Sequence, residues 1–132
     1  MKAGRRRSDK HEFRKADPKP DVSLGGLIVE VGRVFLGAPY QAGTLESAGP
    51  ERLVVNLKAF DCTTFVETVL ALAAYVMSGH HARSEIRKNL KTIRYRQGRI
   101  SGYASRLHYF TDWLSDNEKK KMLKQQELAA LY

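Results

Sequence analysis

At 132 residues, with 42% hydrophobic and 28% charged side chains, the chain has the make-up of one globular domain and lacks the length for two. Lys+Arg 23 against Asp+Glu 14 give a formal net charge of +9, which attracts polyanions without selecting among them, and no nucleic-acid-binding motif accompanies it. One cysteine excludes an intrachain disulfide and a Cys-rich metal site, and the longest apolar run, Val69 to Met77, falls far short of the roughly 20 residues of a membrane-spanning helix.

Residues 1–21 carry ArgArgArg at 5–7 and AspProLysProAsp at 17–21, with Phe13 the only large apolar side chain after Met1. They read as a disordered basic arm, and they lack the apolar core of a secretory signal, so either a cytoplasmic protein or an incorrectly recorded start is expected. A single helix-rich domain is expected over 22–132. Ser23 is placed to cap its first helix, Val22 and Leu27 stand in staple positions, and Leu24, Leu27, Ile28, Val31, Val34 and Phe35 recur at helical spacing until Gly37.

LeuGlyAlaProTyr at 36–40 opens a Gly/Ser/Pro-rich loop that runs to Pro50, and ArgLeuValValAsnLeu at 52–57 has short-strand character. Asp61 then caps a second helix. Cys62, Phe65, Val66, Val69, Leu70, Ala73 and Met77 are predicted to share one of its faces, and Gly79 ends it. His80 and His81 follow in a turn and suit solvent better than a metal. A shorter basic-faced helix is predicted from Ser84 to about Ile93, an irregular hairpin over 95–102, and another helix over Ala104 to Leu114. Ser115 with Glu118 reads as a capping box for a polar terminal helix bearing Met122, Leu123 and Leu131. No internal repeat is visible, and nothing in the sequence calls for a cofactor or a metal.

Cys62 is the residue with chemistry to explain. A helix start offers unpaired backbone donors and the positive end of the helix dipole, which favour a thiolate and also an oxyanion formed by its attack on a carbonyl. The plainer alternative is a small apolar side chain at the head of a buried helix, and spacing alone does not decide between them.

The surrounding motifs do carry a resemblance. ValPheLeuGlyAlaProTyrGlnAlaGly at 34–43, followed by PheAspCysThrThrPheValGlu at 60–67, resembles the paired signature of NlpC-type, papain-like cysteine amidases and peptidases of bacterial cell walls. ThrThr follows the cysteine where the wider family usually has Ser-Gly. That departure, with IleArgTyrArgGlnGly at 93–98 and SerArgLeuHisTyrPheThrAspTrp at 105–113, looks like the N-acetylmuramoyl-L-alanine amidase-like branch. The resemblance covers roughly 24–117. It implies a helix-dominated α+β fold with little strand, a peptidoglycan or muropeptide substrate, and cleavage of the amide between a muramoyl lactyl group and L-alanine through a thioester at Cys62. It also implies that Tyr40 helps hold the oxyanion or substrate, that Asp61 caps the helix and contacts substrate, and that the protein works in the cell envelope or periplasm.

A cysteine nucleophile needs a base that later protonates the leaving amine. The family carries that His on strands after the helical half, and no such strands are visible here, so the chain reads as the N-terminal half of the fold, incomplete at its C-terminus and weakly active or inactive by itself. His11 lies in the basic arm. His108, in a stretch read as helical with Asp112 at i+4, is the candidate base, and a packed, hydrogen-bonded His is the alternative. Arg94, Arg96 and Arg106 are candidates for the carboxylates of a wall peptide, or for a solvated basic face. An oligomer or a partner chain is expected to cover the apolar face left by the missing strands. The competing function is a non-catalytic basic helical module that binds an acidic partner, wall polymer or nucleic acid.

Overall fold

A computed structural model describes residues 23–79 and 82–123. Among the described residues four helices follow in order, α1 (Leu24–Val34), α2 (Cys62–Ser78), α3 (Arg83–Arg94) and α4 (Phe110–Lys119), with 3₁₀ turns at Arg96–Gly98 and Tyr103–Ser105. The architecture is helix-dominated. Among the described residues the only β pairing is two isolated bridges, Tyr40 with Phe60 in parallel and Tyr95 with Arg106 antiparallel. None of the described helices is long and apolar enough to cross a membrane. The described residues fall into two compact units, one within 23–46 and 54–90, the other within 47–53 and 91–123.

In the first unit, α1 begins where Ser23 Oγ accepts the Gly26 N–H at 3.1 Å, the satisfaction of an orphan donor that an N-cap supplies. Leu27 and Val31 of α1 bury themselves against Val69, Leu72, Ala73 and Val76 of α2, with Ile28, Phe35, Phe65, Tyr75 and Ile86 packed around them. The buried face of α2 is turned from the one that hydrophobicity alone predicts. Thr64, Glu67 and Thr68 are inside, whereas Val66 and Met77 are 44% and 41% exposed. Val22, half of the predicted staple, lies outside the described residues, as do the basic arm with His11, His80, His81 and Leu131.

In the second unit the end of α3 is capped by α4. Asn117 Nδ2 donates to the carbonyls of Ile93 and Trp113 at 3.0 and 2.9 Å, and Lys120 Nζ donates to those of Thr92 and Tyr95. Cations and amides at a helix C-terminus satisfy its orphan carbonyls in this way. Lys120 also pairs with Asp116 at 2.7 Å. The Asp116 carboxylate accepts the backbone N–H of Gln97, a residue held at φ 54 in the reversal that follows α3.

Three predicted elements differ. Residues 52–57 form no strand: none of them takes part in a β bridge among the described residues, and Asn56 Oδ1 takes the N–H groups of Lys58 and Ala59, so the side chain turns the backbone away from an extended ladder. The helix predicted from Ala104 starts instead at Phe110. Gly102 sits at φ 77, Ser105 Oγ bonds Gly102 O and Ser101 N, and Arg106 extends to bridge Tyr95, so local hydrogen bonds and a nonlocal pairing override helical periodicity. Ser115 and Glu118 consequently fall inside α4 instead of capping a further helix.

Candidate functional site

Cys62 is the first residue of α2, and it is exposed. What places it there is a reciprocal cap: the Thr64 N–H donates to Asp61 Oδ1 at 2.8 Å, and the Asp61 N–H donates to Thr64 Oγ1 at 3.0 Å. The second Thr of the ThrThr pair is therefore the N3 partner of a capping box. With Asp61 and Thr64 satisfying each other, the helix start is fixed, and the cysteine side chain is held at the dipole's positive end.

A second connection brings the LeuGlyAlaProTyr loop to the same place. Phe60 N–H donates to Pro39 O at 3.1 Å and Gln41 N–H donates to Phe60 O at 2.9 Å, which makes the parallel Tyr40–Phe60 bridge. Two segments some twenty residues apart are thus locked together one residue before the cap. Between them opens a cavity of about 250 Å3 lined by Phe35, Ala38, Pro39, Tyr40, Phe60, Asp61, Cys62 and Phe65. Three of these rings meet edge to face, with centroids 5.1 Å (Phe35–Phe60), 5.7 Å (Phe60–Phe65) and 6.5 Å (Phe35–Phe65) apart. Such contacts give the cavity a stiff apolar floor, with Tyr40, 74% exposed, as an accessible rim.

Of the residues singled out in the sequence, the structure therefore gathers Cys62, Tyr40 and Asp61 around one cavity. The sequence by itself does not mark the phenylalanine floor. Phe35 and Phe65 read only as members of helical stripes, and the signal available was that a Phe flanks each half of the paired motif.

His108 belongs to the second unit and lies outside any helix, just before α4. Its Nε2 is 2.8 Å from the Tyr103 carbonyl oxygen, and its ring packs on that of Tyr103 with centroids 4.2 Å apart. The predicted i+4 pairing with Asp112 does not occur, since helix geometry does not extend back to 108; Asp112 instead stands 3.9 Å from Arg96. The three arginines have different fates. Arg96 is half exposed, Arg94 is buried, and Arg106 is buried against Glu51, Nε to Oε2 at 3.1 Å.

The same Glu51 oxygen accepts the Tyr95 hydroxyl at 2.6 Å, and the Arg52 carbonyl oxygen lies 3.2 Å from that hydroxyl. Burial foremost, then the hydrogen bond to Glu51 and its negative charge, hold the Tyr95 phenol protonated well above its usual range, against the opposing pull of Arg94 and Arg106.

Residues 30–128 match the sequence model of the AmiA-like family, described as N-acetylmuramoyl-L-alanine amidase-like. Among solved structures, an N-acetylmuramoyl-L-alanine amidase from Bacteroides uniformis ATCC 8492 is 44% identical with a TM-score of 0.66, over 70% of this chain and 39% of that one. A Bacteroides fragilis protein whose name makes it a candidate xylanase is 41% identical with a TM-score of 0.67, over 77% of this chain and 43% of that one. A Legionella pneumophila protein assigned to the family DUF1460 is 25% identical with a TM-score of 0.64, over 86% and 38%. The chain thus spans about two fifths of the length of the solved proteins it matches. No curated protein matches the sequence.

Proposed function

The chain belongs to the AmiA-like, N-acetylmuramoyl-L-alanine amidase-like family, and from that premise we propose that it carries the nucleophile framework of a papain-like, NlpC-type cysteine amidase acting on peptidoglycan. The observation that carries the reading is Cys62, exposed on the first turn of α2 and lining one cavity with Pro39 and Tyr40. In the proposed reaction the Cys62 thiolate attacks the lactyl carbonyl carbon of a muramoyl-L-alanyl substrate. Backbone N–H groups of the helix start and the Tyr40 rim stabilise the resulting oxyanion. The C–N bond then breaks, the amine of L-alanine leaves with a proton, and water hydrolyses the thioester, which releases the muramoyl acid and restores the thiol. The apolar floor of Phe35, Phe60 and Phe65 suits the methyl groups on either side of the scissile amide, and it keeps water from the back of the cavity. His108, the only His among the described residues, is the proposed proton carrier, and the whole reaction is assigned to the cell envelope.

Nucleophile and proton carrier can be tested apart. A muramoyl-lactyl nitrophenyl ester has a leaving group that departs without protonation, so it acylates a competent thiol even where amide turnover is slow. The expected result is a mass adduct on the Cys62 peptide, formed faster than with free glutathione and absent from Cys62→Ala. Acylation no faster than glutathione would refute the assignment.

A further inference from the structure

The floor of the cavity beside Cys62 is held from behind. Phe35 closes α1 with its N–H on Gly32 O at 3.1 Å, and its carbonyl takes the Ala38 N–H at 3.0 Å. Phe60, 5% exposed, is tied to Pro39 through its N–H and to Gln41 through its carbonyl. Phe65 stands three residues after Cys62 in the first turns of α2, hence on a neighbouring position of the same helix side and about 4.5 Å further along the axis. Its ring reaches across to α1, where a methyl added at Gly32 would stand 3.6 Å from Phe65 Cζ. Each of the three rings meets the other two edge to face. None can withdraw without giving up two aromatic contacts. A floor that cannot retreat limits how much of a group attached at the sulfur can leave water.

We infer that Phe65 is the specificity-determining residue of this cavity: it admits a compact apolar group of up to about six carbon atoms beside the Cys62 sulfur and leaves the remainder of any longer chain in water. The inference rests on the reading above only for Cys62 as the reacting group. The size follows from the volume. A closed apolar cavity of about 150 Å3 takes one benzene ring. The cavity here measures about 250 Å3, but it is open at the Tyr40 rim and must also hold the atoms under attack, so room for about one such ring remains. Burial of hydrocarbon is the selecting force. Asp61, the charged residue of the lining, is drawn to the helix start by its bond to the Thr64 N–H. Among the three rings Phe65 decides, because it shares the helix and the helix side of the thiol, and a group laid along α2 from the sulfur meets it first.

Cys62 is the only cysteine of the chain, so the rate of thiol loss reports on this cavity alone. The experiment treats the full chain with methyl, propyl, hexyl and octyl methanethiosulfonate. In each case the thiolate displaces methanesulfinate and keeps the alkylthio group as a disulfide. Rates are divided by those of glutathione with the same reagent, which removes intrinsic reactivity. A methylene that enters apolar surroundings favours reaction by up to about fourfold. The normalised rate should therefore rise by about tenfold or more from methyl to hexyl, and then stay level to within about 1.5-fold from hexyl to octyl. Phe65→Ala should lift the ceiling, with octyl ahead of hexyl by about fourfold or more. Phe65→Leu, which keeps packing against the α1–α2 core, should show about a twofold lead and serves where the alanine variant does not fold. A flat profile from methyl to hexyl overturns the inference, as does a parent rate that keeps climbing to octyl. An unchanged ceiling in the folded Phe65 variants overturns the assignment to Phe65. Disulfide exchange with these reagents needs neither an oxyanion site nor a proton carrier. The expected profile without nitrophenyl-ester acylation faster than glutathione therefore sinks the amidase reading alone, and fast acylation with a flat profile sinks this inference alone.

Discussion

Glu51 is the residue on which the second unit turns, and its removal should be costly in a particular pattern. Its side chain is 7% exposed and that of Arg106 9%. One carboxylate oxygen takes both Arg106 Nε at 3.1 Å and the Tyr95 hydroxyl at 2.6 Å. Glu51→Leu leaves a guanidinium in a nearly dry site without its carboxylate and should cost about 3–5 kcal/mol, as should Arg106→Met in the opposite sense. The double variant removes both charges, and Tyr95 keeps the Arg52 carbonyl at 3.2 Å, so the residual cost there should be about 1 kcal/mol. Urea unfolding followed by Trp113 fluorescence measures all three, provided the slopes agree. Against a typical stability of about 5–15 kcal/mol either single loss is large, and Glu51→Gln, which still accepts from Tyr95, offers a milder variant where the first does not fold. Single variants that each cost less than about 1 kcal/mol, or that add to within about 0.5 kcal/mol in the double, would refute the view that this pair is a buried, coupled unit.

Asp61→Ala removes one side of the capping box below Cys62 and should cost about 1 kcal/mol, and at most about 2, in thermal unfolding, with Asp61→Asn close to the parent. No loss would mean that the helix start is fixed by the Tyr40–Phe60 bridge alone. Gly79 ends α2 at φ 73, and Gly79→Ala should cost about 1 kcal/mol because an added Cβ disfavours that left-handed conformation even where space is open. Tyr95 predicts an alkaline effect. Its phenol keeps its proton in the folded state after the unfolded chain has lost it near pH ~10, so its contribution is complete below that pH and is lost as pH rises toward the folded value. The parent should lose stability relative to Tyr95→Phe above pH ~10, by at most about 1.4 kcal/mol per pH unit. Parallel pH profiles would contradict the raised phenol.

How much of this was legible in the sequence follows from how local each feature is. Ser23, Asp61 and Gly79 act within one turn of a helix end, and all three mark the boundaries found. The paired motif at 34–43 and 60–67 also pointed to Tyr40 lying beside Cys62, and a single bridge at Phe60 joins its two halves. What failed depended on partners far along the chain. Residues 52–57 have the composition of a short strand, yet Glu51 and Arg52 are engaged by Tyr95 more than forty residues away, and among the described residues no strand lies beside them to pair with. The apolar periodicity of α2 missed that Thr64, Glu67 and Thr68 are buried, since a polar residue's burial is set by the neighbours that surround it. The stretch around His108 has helical periodicity, but Arg106 finds more in an extended bridge to Tyr95 and a buried carboxylate than a helix offers it.

That last displacement sharpens what His108 is able to do. A carbonyl oxygen only accepts hydrogen bonds, so the Nε2 facing Tyr103 O at 2.8 Å must carry hydrogen. A neutral His108 ring therefore has Nδ1 as its sole proton acceptor, and Tyr103 O does for it what an orienting carbonyl or carboxylate does for the imidazole of a catalytic triad. The arrangement separates a structural from a catalytic His108. His108→Gln places an amide donor near the old Nε2 position and keeps the bond to Tyr103, yet it cannot take or return a proton. A structural role predicts that His108→Gln matches the parent in both stability and muropeptide turnover, while His108→Ala loses some of the former. As proton carrier, His108→Gln would instead be stable, would still be acylated at Cys62 by the nitrophenyl ester, and would lose amide turnover by about 10²–10⁴-fold, the usual worth of general acid–base catalysis. Amide turnover unchanged in His108→Gln would refute the assignment of the base and leave that of the nucleophile standing.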